Sequence, residues 1–403
     1  MATGTGRCYR PWLGARRAGR ASVASVTLAA HADHVRILVA DGVGHVTLDR
    51  PEALNALNHR MLLRLTEILT AWRDDTEVSI VLLDGAGERG FCAGGDIREM
   101  YAGIIADRRD DVRAFFWHEY RLDAMIAEYP KPVVAVLDGI AMGGGIGIGG
   151  HASIRVVTER SRLAMPETRI GLTPDVGGAL LLGRAPGRLG EYLALTGESM
   201  TDAAAIDAGF ADYLVPRTSL PALAQALRER ADPGTPSEIV MLFDETPEPS
   251  PLQAKRHWID DAFAADDVPG VLTRLRELAD GTRPARTRAG APEFPKVPLD
   301  GAARAEAAET ADALAERSPT ALAVTLHAVR SARALNALRP VLEQDFRLVS
   351  WFLEQPDLAE GIRAQVVDKD RSPKWSPASL DGLEPDVVDA AMRHPLPAPL
   401  WDE

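Results

Sequence analysis

The sequence predicts an α/β fold of stacked, partly parallel sheets walled by helices, followed by a mainly helical lobe. Three observations predict it. β-Branched runs at 35–39 and 43–49 flank Asp41-Gly42, a tight-hairpin dipeptide. Met61, Leu62, Leu65, Ile68, Leu69 and Trp72 then recur at helical spacing and lead into an apolar strand at 78–83, completing a strand–strand–helix unit. The unit recurs, with a helix at 112–128, a buried strand at 133–137, and further strands at 154–157 and 162–165.

From 190 to 230 helices dominate, around a short Tyr213-Leu-Val215 strand. Residues 232–251 are rich in Pro, Glu, Ser and Thr and read as a linker or surface loop, and 281–298 as a second such break. Amphipathic patterns at 314–335 and 341–352, and a last helix at 357–367, predict a helical lobe that ends in the polar stretch 368–375. The expected divisions are an extension (1–32), an α/β core (33–231), a helical C-terminal lobe (232–375) and a tail (376–403).

Composition limits the function. A chain of 403 residues, 46% hydrophobic and 26% charged, can bury the core of a sizeable enzyme, and no apolar run reaches membrane-spanning length. The net charge of −13 argues against nucleic acid as a partner. Cys8 and Cys92 are too few for a disulfide framework or a zinc cluster, so the cytoplasm is the default compartment. Arg7, Arg10, Arg16, Arg17 and Arg20 precede the first acid, Asp33, a composition that resembles a mitochondrial transit peptide and supplies the alternative, the matrix. No histidine has metal-ligand spacing, so neither metal nor cofactor is expected.

The chemistry gathers in three loops. Met165-Pro-Glu-Thr-Arg-Ile-Gly-Leu-Thr-Pro-Asp-Val-Gly-Gly178 sets Glu167 and Asp175 eight residues apart, a pair able to divide acid and base work. Apolar Ile170 and Leu172 beside Glu167 could exclude water and raise its pKa. Phe91-Cys-Ala-Gly-Gly-Asp96 and Met142-Gly-Gly-Gly145 each follow a strand, and their bare backbone N–H groups could hold an oxyanion. Two donors and an acid/base pair suggest thioester chemistry. Each has a plainer reading: a turn for the Gly pair, a surface acid for Glu167, a helix cap for Asp175, a solvated ion pair for Glu119 beside His118 and Arg121, and packing for Cys92, Met142 and Met165. Gly145, Gly147 and Gly150 also satisfy a dinucleotide fingerprint, but they do not directly follow the strand.

Together these motifs, with Asp49-Arg-Pro-Glu-Ala-Leu-Asn-Ala56, resemble the crotonase (enoyl-CoA hydratase/isomerase) superfamily over roughly 35–230. Within it the chain is most similar to the 3-hydroxyisobutyryl-CoA hydrolase family. That likeness rests on Gly94-Gly-Asp-Ile-Arg98, the Pro-Glu-Thr to Pro-Asp-Val-Gly-Gly run, Ser318-Pro-Thr320, Glu360-Gly-Ile-Arg-Ala364 and Asp368 to Trp375. The resemblance implies a spiral of ββα units and hydrolysis of 3-hydroxyisobutyryl-CoA, or a similar short 3-hydroxyacyl-CoA, in valine breakdown.

By the same resemblance, Gly95 and Gly144 form the oxyanion hole. Glu167 is the catalytic base or nucleophile, Asp175 binds the substrate 3-hydroxyl and assists proton transfer, and Glu119 and Gly144 contact substrate. Hydratases of the superfamily use a second glutamate where this chain has Gly147, which disfavours the alternative of an enoyl-CoA hydratase or isomerase. A third reading is a catalytically idle acyl-CoA-binding or scaffold member. The chain is also a candidate homo-oligomer.

Overall fold

The computed structural model describes residues 33–283 and 299–401, so the 1–32 extension and most of the 281–298 break lie outside the described residues. The strands, in chain order, are β1 (Val35–Ala40), β2 (Val43–Leu48), β3 (Ile80–Gly85), β4 (Gly90–Cys92), β5 (Val133–Val136), β6 (Ile140–Met142), β7 (Ile154–Val157), β8 (Arg162–Ala164) and β9 (Tyr213–Leu214). β1 and β2 form the expected hairpin, and Asp41 and Gly42 take φ of 49° and 81°, the two left-handed positions of a turn whose twist suits the strands.

From β2 onward every named pairing is parallel. One sheet runs β1-β2-β3-β5-β7-β9 and the other β4-β6-β8, so the chain alternates between sheets as it winds. β5 is Val-Val-Ala-Val with every residue buried, as a strand covered on both faces must be. The small sheet positions the functional loops. Its three parallel strands open at their carboxyl ends into the Gly94-Gly95 turn, the Gly143-Gly144 turn and the Pro166-Glu167 segment, so the topology brings together motifs up to about seventy residues apart.

The C-terminal half departs from expectation in three places. The 232–251 stretch is not purely a linker: the helix Pro236–Met241 buries Ile239 and Val240 in the core formed by Val43, Ile80 and Val134. Two apolar residues on so short a helix are too weak a periodic signal to stand out from the prolines. The 314–335 pattern spans two helices, Gly301–Ala315 and Pro319–Leu335, separated at Ser318, whose hydroxyl accepts the Ala321 N–H (3.0 Å) ahead of Pro319 at the first helical position. Beyond 376, the helix Val387–Met392 buries Ala391, and Trp117 and Arg121 donate to the carbonyls of Pro399 (2.9 Å) and Leu400 (2.6 Å). The tail is therefore strapped across the helix Arg109–Ala127.

One continuous apolar core runs from the sheets into the helical lobe. Arg333, in the helix Pro319–Leu335, makes two 2.8 Å bonds to the buried carboxylate of Glu191. Burial opposes the charge of Glu191, and the Arg333 and Arg188 guanidiniums more than offset it, holding its carboxyl below the ordinary range.

Candidate active site

Two backbone turns lie side by side at a cavity of about 300 Å³. Leu57 N–H donates to Gly94 O (2.8 Å) and Asp96 N–H donates to Leu57 O (2.7 Å). That is the alternation of a parallel bridge, and it turns the Gly95 N–H away from Leu57. Asn55 steadies this loop from below, its amide donating to the carbonyls of Ala86, Gly90 and Phe91. Asp96 caps the helix Ile97–Ile105 and pairs with Arg50 at 2.7 Å.

Beside it, Gly143 takes φ 48° and ψ −122°, a conformation that L side chains rarely adopt, and there the chain turns from β6 into the helix Gly144–Gly150. Gly144 is the first residue of that helix, so its N–H has no intrahelical acceptor. A Cβ built on Gly144 would lie 3.3 Å from the Gly95 nitrogen, and one on Gly94 would lie 3.2 Å from the Gly144 nitrogen. The expected donors are thus neighbours in space.

Glu119, Glu167 and Asp175 all line the same cavity with these glycines, so the structure brings every sequence-predicted site residue together. Glu167 opens the 3₁₀ turn Glu167–Ile170 and is 6% exposed; its Oε1 lies 3.1 Å from where a Gly143 side chain would begin. Ile170 and Leu172 line the cavity beside it, as expected. Glu119 is 1% exposed, which overturns its reading as a solvated ion pair. Its neighbours turn elsewhere: His118 contacts His59 and Ala114 O, and Arg121 lies over the Trp117 ring.

Asp175 does not cap the following helix with its side chain. Its carboxylate accepts from Tyr120 Oη at 2.7 Å, and only its backbone carbonyl takes the Gly178 N–H. The loop behind it is clamped. Val176, a β-branched residue, has φ 52°, a strained conformation that persists only where the surroundings impose it. Burial lowers His151 to about 4, so its neutral ring donates from Nε2 to Val176 O (2.8 Å), while Asp345, from the helix Leu338–Phe352, accepts the Gly177 N–H (2.8 Å).

Burial dominates the electrostatics. It raises Glu119 and Glu167 well above the ordinary carboxyl range, and for both the negative charge of Asp175 adds to the effect. Asp175 itself is raised to about 6, burial outweighing the bond from Tyr120. Glu119 Oε1 and Glu167 Oε2 are buried and have no hydrogen-bond partner among the described residues, and both side chains belong to residues of the cavity wall. Acids poised in this way next to backbone donors suit proton transfer or attack at a polarised carbonyl.

The plainer readings hold elsewhere. The buried Cys92 thiol is raised to about 12 by burial and donates to Asn55 O. Met165 packs in the core, whereas Met142 lines the cavity. The glycines of the fingerprint lie inside a wholly buried helix of seven residues, not in a turn between a strand and a long helix, so they do not form a dinucleotide site. Sequence reasoning missed Tyr120, Asp123 and Asp345, all buried at this site. Asp123 lies four residues after Glu119, a spacing that would have flagged it had Glu119 been placed inside, whereas Tyr120, the next residue, gives no such signal.

Residues 43–392 match the family model described as enoyl-CoA hydratase/isomerase. The chain belongs to that family. A relative, the mitochondrial 3-hydroxyisobutyryl-CoA hydrolase of Danio rerio, is 37% identical over 355 residues, 86% of each chain. Two solved structures of the fold cover the helical lobe as well. A carnitinyl-CoA dehydratase from Mycobacterium thermoresistibile superposes with a TM-score of 0.81 at 41% identity, over 92% of this chain and 98% of that one. An enoyl-CoA hydratase from Rhodobacter sphaeroides 2.4.1 gives 0.77 at 37%, over 90% and 98%.

Proposed function

We propose that the protein hydrolyses the thioester of 3-hydroxyisobutyryl-CoA, or a similar short 3-hydroxyacyl-CoA, to the free hydroxy acid and CoA, as a step of valine breakdown. The observation that carries this reading is the exchange of acids around the cavity. Position 147 is glycine, and the Asp123 carboxyl occupies the space a side chain there would need, while Asp175 stands with Glu167 on the cavity wall. A site without a carboxylate at 147 lacks the two-glutamate arrangement for adding water across a double bond.

In this reading the N–H groups of Gly95 and Gly144 hold the thioester oxygen as it gains charge, and each such donor is worth about 2.7–4 kcal/mol in the transition state. Glu167 either attacks the carbonyl carbon, giving a mixed anhydride that water then opens, or takes the proton of an attacking water. In both routes the C–S bond breaks, the thiolate leaves and is protonated, and one water is consumed. Asp175, oriented by Tyr120, receives the substrate 3-hydroxyl, and Glu119 contacts the acyl group near Gly144. Every group comes from the chain, so the reaction needs no cofactor or metal. The mitochondrial name of the Danio relative supports the matrix over the cytoplasmic default for a chain with an arginine-rich start.

The names of the two solved relatives favour dehydration or hydration as the second reading. One preparation tests both. Thiol release from 3-hydroxyisobutyryl-CoA is expected, with a rate at least about a hundredfold lower on isobutyryl-CoA, because a site built to bond a hydroxyl rejects the analogue without it. Rapid hydration of crotonyl-CoA without thiol release would replace this reading by the second.

A further inference from the structure

The helix Arg109–Ala127 turns Glu119 and Asp123 to one side, a helical turn apart, but only Glu119 lines the cavity. Asp123 lies deeper, fully buried, and neither carboxyl oxygen has a hydrogen-bond partner among the described residues. A Cβ built on Gly147 would stand 2.8 Å from both of those oxygens and 2.9 Å from Val176 Cβ. One turn earlier the same relation holds, since a Cβ on Gly144 would overlap Glu119 Oε1. The two helices are therefore registered by two carboxyl-on-glycine contacts, Glu119 on Gly144 and Asp123 on Gly147. The first contact stands beside the donor that the proposed reaction uses.

The charged groups that face Asp123 are all acids: Glu119 from its own helix, Asp175 from the loop, and Asp345 from the helix Leu338–Phe352. Buried carboxyls crowded in this way do not all ionise, and the one with least access to water keeps its proton.

We propose that Asp123 is a positioning residue of the thioester site: as a neutral acid it fills the niche opened by Gly147, seats the helix that carries Glu119 against the helix that begins at Gly144, and keeps negative charge away from the reacting oxygen. This rests on the hydrolase reading for its activity assay and on packing alone for its stability assay. Ionised, Asp123 would put a charge behind Glu119 and beside Asp175, opposing the oxyanion. Burial together with Glu119, Asp175 and Asp345 raises its carboxyl well above the ordinary range, so this penalty enters only as pH rises.

The test uses the full chain and the variants Asp123→Ala, Asp123→Asn and Gly147→Ala, with Asp123→Ala/Gly147→Ala as the double variant. Asp123→Ala is expected to lower kcat for thiol release by at least about tenfold with KM within about threefold, the signature of a transition-state rather than a binding loss. Asp123→Asn, of the same shape but unable to ionise, is expected to recover most of that loss and to abolish or move upward the alkaline fall in kcat. Gly147→Ala is expected to cost less stability in the Asp123→Ala background than in the wild type, because the carboxyl it collides with is gone. Additive stability effects, or an Asp123→Asn pH profile that overlays the wild type, would overturn the proposal. A wild type that releases no thiol would overturn the functional reading, and the stability cycle would still decide the Asp123–Gly147 contact.

Discussion

Tyr120 donates its phenol to Asp175 Oδ2 at 2.7 Å, and both groups are buried. The bond works against the burial that raises Asp175 to about 6. Tyr120→Phe should therefore push Asp175 higher, so that more of it is protonated near neutrality and the acid limb of the rate profile moves to higher pH. A hydrogen bond to a charged group is worth about 1.5–3 kcal/mol, so kcat/KM on the 3-hydroxyacyl substrate should fall roughly ten- to hundredfold. An acid limb that stays in place would dissociate Asp175 from catalysis.

Glu167→Gln should lower kcat by about 10² to 10⁴ if the residue is a base, and by more if it is the nucleophile. Substrate affinity should change little. Single turnover in ¹⁸O-water tests the nucleophilic route, since label in the Glu167 carboxylate, detectable by peptide mass, arises only when water opens a mixed anhydride at the Glu167 carbonyl. A variant that retains more than half of kcat would return Glu167 to an ordinary loop acid.

Asp345 lies 170 residues from Asp175 in the chain yet accepts the N–H of Gly177, two residues beyond it. Asp345→Leu leaves that buried donor unpaired, at a cost of about 1–3 kcal/mol. The strained loop loses one of its two clamps with it. Loss of stability together with a fall in kcat/KM is expected, and Asp345→Asn, which keeps an acceptor oxygen, should restore most of both. Equal damage from Leu and Asn would mean that the charge, and not the bond to Gly177, is what the loop requires.

Asp175 also sets a pH dependence of stability. Its folded value of about 6 lies above the unfolded aspartate value near 3.9, so the folded state binds the proton more tightly. The stability it contributes is present below pH ~4 and lost as pH rises through ~6, on the order of 3 kcal/mol. Asp175→Asn, neutral at every pH, should therefore unfold at higher denaturant concentration than the wild type at pH 7, with a smaller advantage at pH 4, while its hydrolase activity collapses. A wild type equally stable relative to the variant at both values would show that Asp175 is not held against its charge.

Much of this site was legible in the sequence for a local reason. Asp41-Gly42 specifies its hairpin, the β-branched runs specify strands, and Gly94-Gly95 and Gly143-Gly144 mark turns whose backbone donors need no side chain to be recognised. Glu167 and Asp175 stood out because they share one short segment with apolar neighbours. Those signals act over a few residues and are written in residue type and spacing.

What the tertiary structure decided acts between distant elements. Glu119 has the composition of a surface acid beside His118 and Arg121, and only the packing of its helix against the one that begins at Gly144 makes it a buried wall of the cavity. Helical periodicity marks which residues share a face but does not say what faces them. Asp345 comes from the helical lobe, the strap beyond 376 crosses the helix Arg109–Ala127, and Asp123 takes its niche from a glycine 24 residues later. In each case the sequence determined a group able to bond or carry charge, and the tertiary structure determined its burial and partner, on which the pKa and role of a carboxyl depend.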